Sequence, residues 1–220
     1  MSIQANLTKI QSTIPDHVTL VAVSKTKPNH MITECYDLNQ RHFGENKVQD
    51  LVNKFDALPK DINWHFIGHL QTNKVKFIAP FVHLIHAVDS LKLLKEINKQ
   101  AIKNDRIINV LLQFHIAKET SKFGLNKTTC DELLNSESFA NLKNISIVGV
   151  MGMATFTDND NQIKSEFQSL INYFNTLKIN KHIVPESFTE RSMGMSGDYK
   201  LAISEGSTMV RVGSSIFGNR

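Results

Sequence analysis

The chain has 220 residues, of which 41% are hydrophobic and 21% charged, with a formal net charge of +4. A chain of this size and composition buries an apolar core without disulfides or structural metals, and it lies far from the composition of a disordered chain. The lysines are scattered instead of gathered in a block, the amino terminus lacks the basic start and apolar run of a signal peptide, and no stretch approaches about 18 consecutive apolar residues, so nucleic-acid binding, export and membrane insertion are not expected.

In chain order, an amphipathic segment ends at Pro15, and residues 18–24 (VTLVAVS) form a continuous apolar run typical of a strand buried on both faces. A helix over 29–39 follows, then the short HFGE at 42–45 and another helix to about residue 57. Further strands are predicted at 62–67, 82–88, 107–116, 145–151, near 192–195 and at 208–212, with helical patterns between them. Lys92, Lys95, Lys99 and Lys103 alternate with Leu91, Leu94, Ile97 and Ala101, the pattern of a solvated face opposite a buried one. Residues 161–178 carry one apolar stripe of Ile163, Phe167, Leu170, Ile171, Phe174 and Leu177. Cys35 and Cys130 sit in separate helical patterns without CxxC spacing and read as buried or idle thiols.

Strands alternating with helices imply right-handed βαβ crossovers and a parallel sheet. Eight such units, counting second and seventh strands too short to identify by periodicity, predict an α/β fold: a single (β/α)8 barrel of the TIM type, one domain over residues 1–220 with no second β domain. GxGxxG and Walker loops are absent from the sequence.

A barrel carries its site at the carboxyl ends of its strands. Lys25 directly follows VTLVAVS, so its stem leaves an apolar strand and its amine enters the barrel mouth, where partial desolvation favours the neutral nucleophile. The alternative is an ordinary lysine at a strand end. Two Gly- and Ser-rich loops, SMGMSGD at 192–198 and TMVRVGSSIFG at 208–218, follow the seventh and eighth strands, a recurrent phosphate site in barrels. Gly213 lets backbone approach an anion, and Ser196, Ser214 and Ser215 offer hydroxyls; turns alone would also explain both loops. Arg211 lies within the apolar MVRVG and must meet a partner, which a structural ion pair would also supply. Asn46 and His65 either line the same cavity or pack. His65 and His69, and His83 and His86, fall on strands or turns where their spacing does not bring two rings together, so no metal is expected.

AVSKTKP at 22–28, FGEN at 43–46, WHFIGHLQTNK at 64–74, SMGMSGD at 192–198 and GSTMVRVGSSIFG at 206–218 span nearly the whole chain. Together they resemble the YggS/PROSC family of pyridoxal phosphate homeostasis proteins. The resemblance implies a fold type III barrel, similar to the amino-terminal domain of alanine racemase, that holds pyridoxal 5′-phosphate as a Schiff base on Lys25. It further implies that Ser196 and the backbone at Gly213 and Ser214 hold the phosphate, that Arg211 faces the pyridine nitrogen and that Asn46 lines the pocket. A permanent cation at that nitrogen disfavours its protonation and weakens the ring as an electron sink. The expected protein is a cytoplasmic, monomeric carrier or buffer of the cofactor that supplies apo-enzymes, without significant catalysis. The main alternative is a weak amino-acid racemase, which needs an opposing acid; Tyr199 is the tyrosine nearest the phosphate loops. A Schiff-base aldolase and a purely regulatory interaction protein are further alternatives. Two segments depart from the family pattern: GVMGMAT at 149–155, which leaves the role of residues 151–154 open, and Arg191, which either adds charge near the phosphate or faces solvent.

Overall fold

A computed structural model describes residues 2–119 and 123–218. The first half runs α1 (Ile3–Gln11), β1 (Thr19–Val23), α2 (Asn29–Tyr36), β2 (His42–Glu45), α3 (Val48–Ala57), β3 (Asn63–Phe66), α4 (Val75–Ile78), β4 (Leu84–Val88) and α5 (Leu91–Lys103). The second half runs β5 (Ile108–Phe114), α6 (Lys127–Asn135), α7 (Glu137–Ala140), β6 (Ile145–Gly152), α8 (Asp160–Lys178), β7 (Glu190–Met195), α9 (Tyr199–Ser204), β8 (Met209–Val212) and α10 (Ser214–Phe217).

The eight strands are parallel and close into a barrel in sequence order, β8 returning to pair with β1 at Val21↔Arg211 and Ala22↔Val212. HFGE is the second strand, identified in the sequence only by the rhythm of its neighbours. Ile107, counted in the fifth strand for its hydrophobicity, lies just outside β5 and is 64% exposed.

Alternation along each strand divides the core into two bodies. Outward residues such as Leu20, Ala22, Phe43, Trp64, Phe66, Val110, Leu112, Val150 and Val210 join the large cluster beneath the helices. The inward positions Val21, Leu84, Leu111, Met151 and Met209 belong to a smaller, separate cluster that fills part of the lumen. The helices cover the sheet as their stripes require: in α5 Leu94, Ile97 and Ala101 are buried, and in α8 Ile163, Phe167, Leu170, Phe174 and Leu177 are buried. The Asn159 side chain caps α8 by accepting from Gln162 N–H, and Ser90 caps α5 by accepting from Leu93 N–H. Gly149 on β6 allows close strand approach, since a Cβ there would lie 1.8 Å from the Glu190 carbonyl oxygen on β7. Cys35 and Cys130 are free and buried, and burial pushes both thiols up to about 12.

Candidate functional site

Parallel closure brings all eight carboxyl ends to one rim, and the strand order sets β7, β8, β1 and β2 side by side along it. Four of the sequence-predicted positions follow these strands directly. Lys25 stands two residues beyond β1 and is half-buried. The chain turns at once, Lys27 N–H donating to the Ser24 carbonyl at 3.0 Å, and Thr26 takes φ 65°. Left-handed backbone at a β-branched residue is uncommon and persists only where its surroundings over-determine it. Part of that determination is visible: Lys27 Nζ donates to the Gly218 carbonyl at 3.1 Å, pinning the loop to the end of α10.

Asn46 is the first residue after β2, and Gly68 in the loop beyond β3 lies against it so closely that a Cβ would be 2.4 Å from the Asn46 carbonyl oxygen. Ser196 is the first residue after β7; its Oγ accepts from Gly213 N–H at 3.1 Å and Ser215 N–H at 3.5 Å. The two Gly- and Ser-rich loops are therefore in direct contact. Gly213 lies close against β1, where a Cβ would stand 3.0 Å from the Val23 carbonyl oxygen. Ser214 opens α10 and is exposed.

Arg211 points into the lumen from β8 and is 4% exposed. Its Nη1 donates to the Ser192 carbonyl at 2.8 Å and to Ser192 Oγ at 2.6 Å, and its Nη2 donates to the Gly152 carbonyl at 3.0 Å. These partners are neutral oxygens, not the ion pair that the sequence also allowed. Burial lowers the guanidinium to about 10, with Asp198 acting in the other direction, so Arg211 stays cationic at neutral pH. Gly152 gives the divergent GVMGMAT segment a role: its carbonyl fixes the arginine.

Beyond Ser192 a file of polar side chains runs down the lumen. Ser192 Oγ is hydrogen-bonded with His86 Nδ1, His86 Nε2 with His65 Nδ1, and His65 Nε2 with His42 Nδ1, each at 2.9 Å. Burial lowers His65 and His86 well below the usual range, with the neighbouring His86 ring disfavouring a proton on His65 and the Arg211 cation disfavouring one on His86, so both rings are neutral.

A second buried network supports Lys25 from the outer side of the sheet. Glu45 Oε1 accepts from Lys54 Nζ and from Ser24 Oγ, both at 2.6 Å, while Lys54 Nζ also donates to the Ser24 carbonyl at 2.8 Å. Burial raises the Glu45 carboxyl above the usual carboxylate range against the opposing influence of Lys54 and Ser24. Neither Glu45 nor Lys54 was singled out in the sequence. The signal was there, since Lys54 falls three residues after Leu51 on the buried face of α3.

Two other candidate side chains are engaged elsewhere. Arg191 lies near the start of β7, its Nε donating to the Gly206 carbonyl at 2.7 Å and its guanidinium 4.8 Å from the Phe174 ring centre, so it covers α8 instead of approaching Ser196 and Gly213. The Tyr199 hydroxyl shares a hydrogen bond of 2.9 Å with Thr13 Oγ1, between α1 and β1.

A closed eight-stranded parallel barrel with a lysine at the end of β1 and a buried arginine on β8 is a barrel of the alanine racemase amino-terminal type, and the model of that family, alanine racemase, N-terminal domain, matches residues 1–220. The chain is 39% identical to the human pyridoxal phosphate homeostasis protein, covering 91% of this chain and 76% of that one. It is 37% identical to the protein of the same name from Aquifex aeolicus, covering 91% and 86%. PipY of Synechococcus elongatus PCC7942, solved with PLP bound, superposes with a TM-score of 0.88 at 32% identity, over 99% of this chain and 100% of that one. Alanine racemase from Streptomyces coelicolor A3(2), at 14% identity and a TM-score of 0.77, shares the barrel; the match covers 58% of that chain. The chain belongs to the pyridoxal phosphate homeostasis protein family.

Proposed function

We infer that the protein binds pyridoxal 5′-phosphate covalently through Lys25 and serves in the cytoplasm as its carrier or buffer, with the single barrel as the binding unit. The observation that carries this reading is the arc of β7, β8, β1 and β2, which sets an amine, a buried cation and a hydroxyl with converging N–H groups along one rim. That donor set suits the cofactor: Lys25 for the aldehyde, Arg211 for the ring-nitrogen edge, and Ser196 with the Gly213 and Ser214 backbone for the phosphate. Asn46 lines the remaining side. PipY, its relative with PLP bound, supports the same reading.

When bound, the cofactor supplies an aldehyde that captures amines and a ring that withdraws electrons. The residues of this chain favour the first property over the second. Arg211 is cationic, is held by three hydrogen bonds and has no proton to yield at neutral pH. Tyr199, the candidate opposing acid, is engaged with Thr13. Retention and release of the cofactor, to apo-enzymes among other acceptors, are thereby favoured over carbon-acid chemistry.

The test begins with the visible absorption spectrum of the purified protein before and after borohydride reduction, followed by peptide mapping; the reduced adduct is expected on Lys25. Reactivation of an apo-enzyme is then compared with an equal amount of free cofactor. Amino-acid turnover of about 1 per second or faster, abolished in Lys25→Ala, would replace the carrier by an enzyme.

A further inference from the structure

The opposite mouth of the barrel holds a second constellation. His42 opens β2, His65 lies on β3, and His83 immediately precedes β4, so three neighbouring strands each contribute one imidazole. The ring centres form a nearly equilateral triangle, 5.2 Å for His42–His65, 5.2 Å for His65–His83 and 5.6 Å for His42–His83. One nitrogen of each ring lies within 4.8 Å of the chosen nitrogens of the other two.

Three imidazoles on one tetrahedral zinc, with Zn–N of about 2.0–2.1 Å, have donor nitrogens about 3.4 Å apart and ring centres about 5 Å apart. The rings already stand at that spacing, and small rotations bring the nitrogens together. His65 is buried, His42 half-buried and His83 exposed, which leaves the outer side of the triangle open to water as a fourth ligand.

The outer partners are also in place. His65 uses its other nitrogen on His86 at 2.9 Å, which in turn meets Ser192 at 2.9 Å. With Nδ1 on the metal, His42 Nε2 carries the ring proton and needs an acceptor, which the Asn63 amide, 3.4 Å away at Nδ2, supplies once its oxygen is turned to the ring. Such partners fix the tautomer and orientation of metal-bound histidines. The Arg106 cation acts on His83, and its guanidinium is engaged by the Ala79 and Val82 carbonyls.

The geometry points to a divalent-metal site of the zinc class at the amino-terminal mouth of the barrel, with His42, His65 and His83 as ligands. An all-nitrogen set suits zinc and its first-row neighbours over calcium or magnesium. Ligation at His65 Nε2 leaves its Nδ1 to donate to His86, so metal loading sets the hydrogen placement along the file that ends at Arg211.

The test uses the cofactor-loaded protein, stripped with chelator and titrated with ZnCl2 by calorimetry. One equivalent is expected to bind with a Kd of about 1 μM or tighter, weakened at least 100-fold by His83→Ala and by His42→Ala, and unchanged by His30→Ala. His83 is exposed, so its variant keeps the fold, to be checked by circular dichroism. X-ray absorption of the CoCl2-loaded protein should show three imidazole nitrogens at about 2.0–2.1 Å. Binding that survives both His83→Ala and His42→Ala would place the metal elsewhere, the cofactor included, and overturn the assignment. Absence of stoichiometric binding to the parent protein would overturn it as well.

Discussion

Replacing Lys54 by methionine tests the buried network under Lys25. Lys54 and Glu45 have side chains 9% and 0% exposed and stand 2.6 Å apart, and Glu45 Oε2 has no hydrogen-bond partner among the described residues. Methionine fills the stem volume but removes the cation, leaving a carboxylate in a dry site. Breaking one side of a buried pair costs about 3–5 kcal/mol at neutral pH. For a domain of this size that corresponds to a fall in melting temperature of about 10 °C. The pH dependence follows from Glu45, which holds its proton more tightly folded than unfolded because burial outweighs Lys54 and Ser24. Stability from a group with a raised folded pKa is present in full below the unfolded pKa and is lost as pH rises through the folded one. Without Lys54 the folded value climbs further, so the deficit of Lys54→Met relative to the parent shrinks on acidification and widens towards neutral pH. Urea denaturation of Lys54→Met, Glu45→Gln and the double variant across pH measures this, and the double variant should recover much of the loss. A loss below about 1 kcal/mol at neutral pH, the scale of solvated pairs, would refute the buried-pair argument.

Lys25→Ala should lose the visible absorption band while keeping its far-ultraviolet circular dichroism; a band retained after dialysis would move the attachment to another lysine. Ser196→Ala combined with Gly213→Asp removes a hydroxyl and sets a carboxylate and a Cβ against the Val23 carbonyl, so cofactor affinity should fall roughly tenfold or more in equilibrium dialysis. Unchanged affinity in the folded double variant would put the phosphate elsewhere. Gly149→Val drives a branched side chain into the Glu190 carbonyl and should cost about 3 kcal/mol or more, read as a shifted urea midpoint; an unshifted midpoint would contradict the close approach of β6 and β7.

The strands that form long apolar runs were legible because both of their faces are buried, one by helices and one by the lumen, and the rim residues were legible because a barrel presents its strand ends. HFGE at β2 is too short for any period to show, and only the spacing of its neighbours revealed it. The histidines were the clearest loss. Spacing along one chain, as in His65 and His69 or His83 and His86, describes neighbours within a strand, whereas the meeting of His42, His65 and His83 is set by register across three strands. For Arg191 the sequence left open a charge near the phosphate or a solvent-facing side chain; strand alternation turns it outward, against Phe174, while Ser192 turns in. Lys54 carried its signal as a charge on a buried helical stripe.

Closure between β1 and β8 joins distant parts of the sequence: Lys25 follows the first strand of the barrel and Arg211 lies on the eighth. A growing polypeptide thus exposes its amine long before the cation and the Gly213 loop exist to accompany it. On the function proposed above, full-strength capture of the ligand becomes a property of finished molecules, and an interrupted translation product, or one cleaved before its eighth strand, carries the lysine without the place to use it.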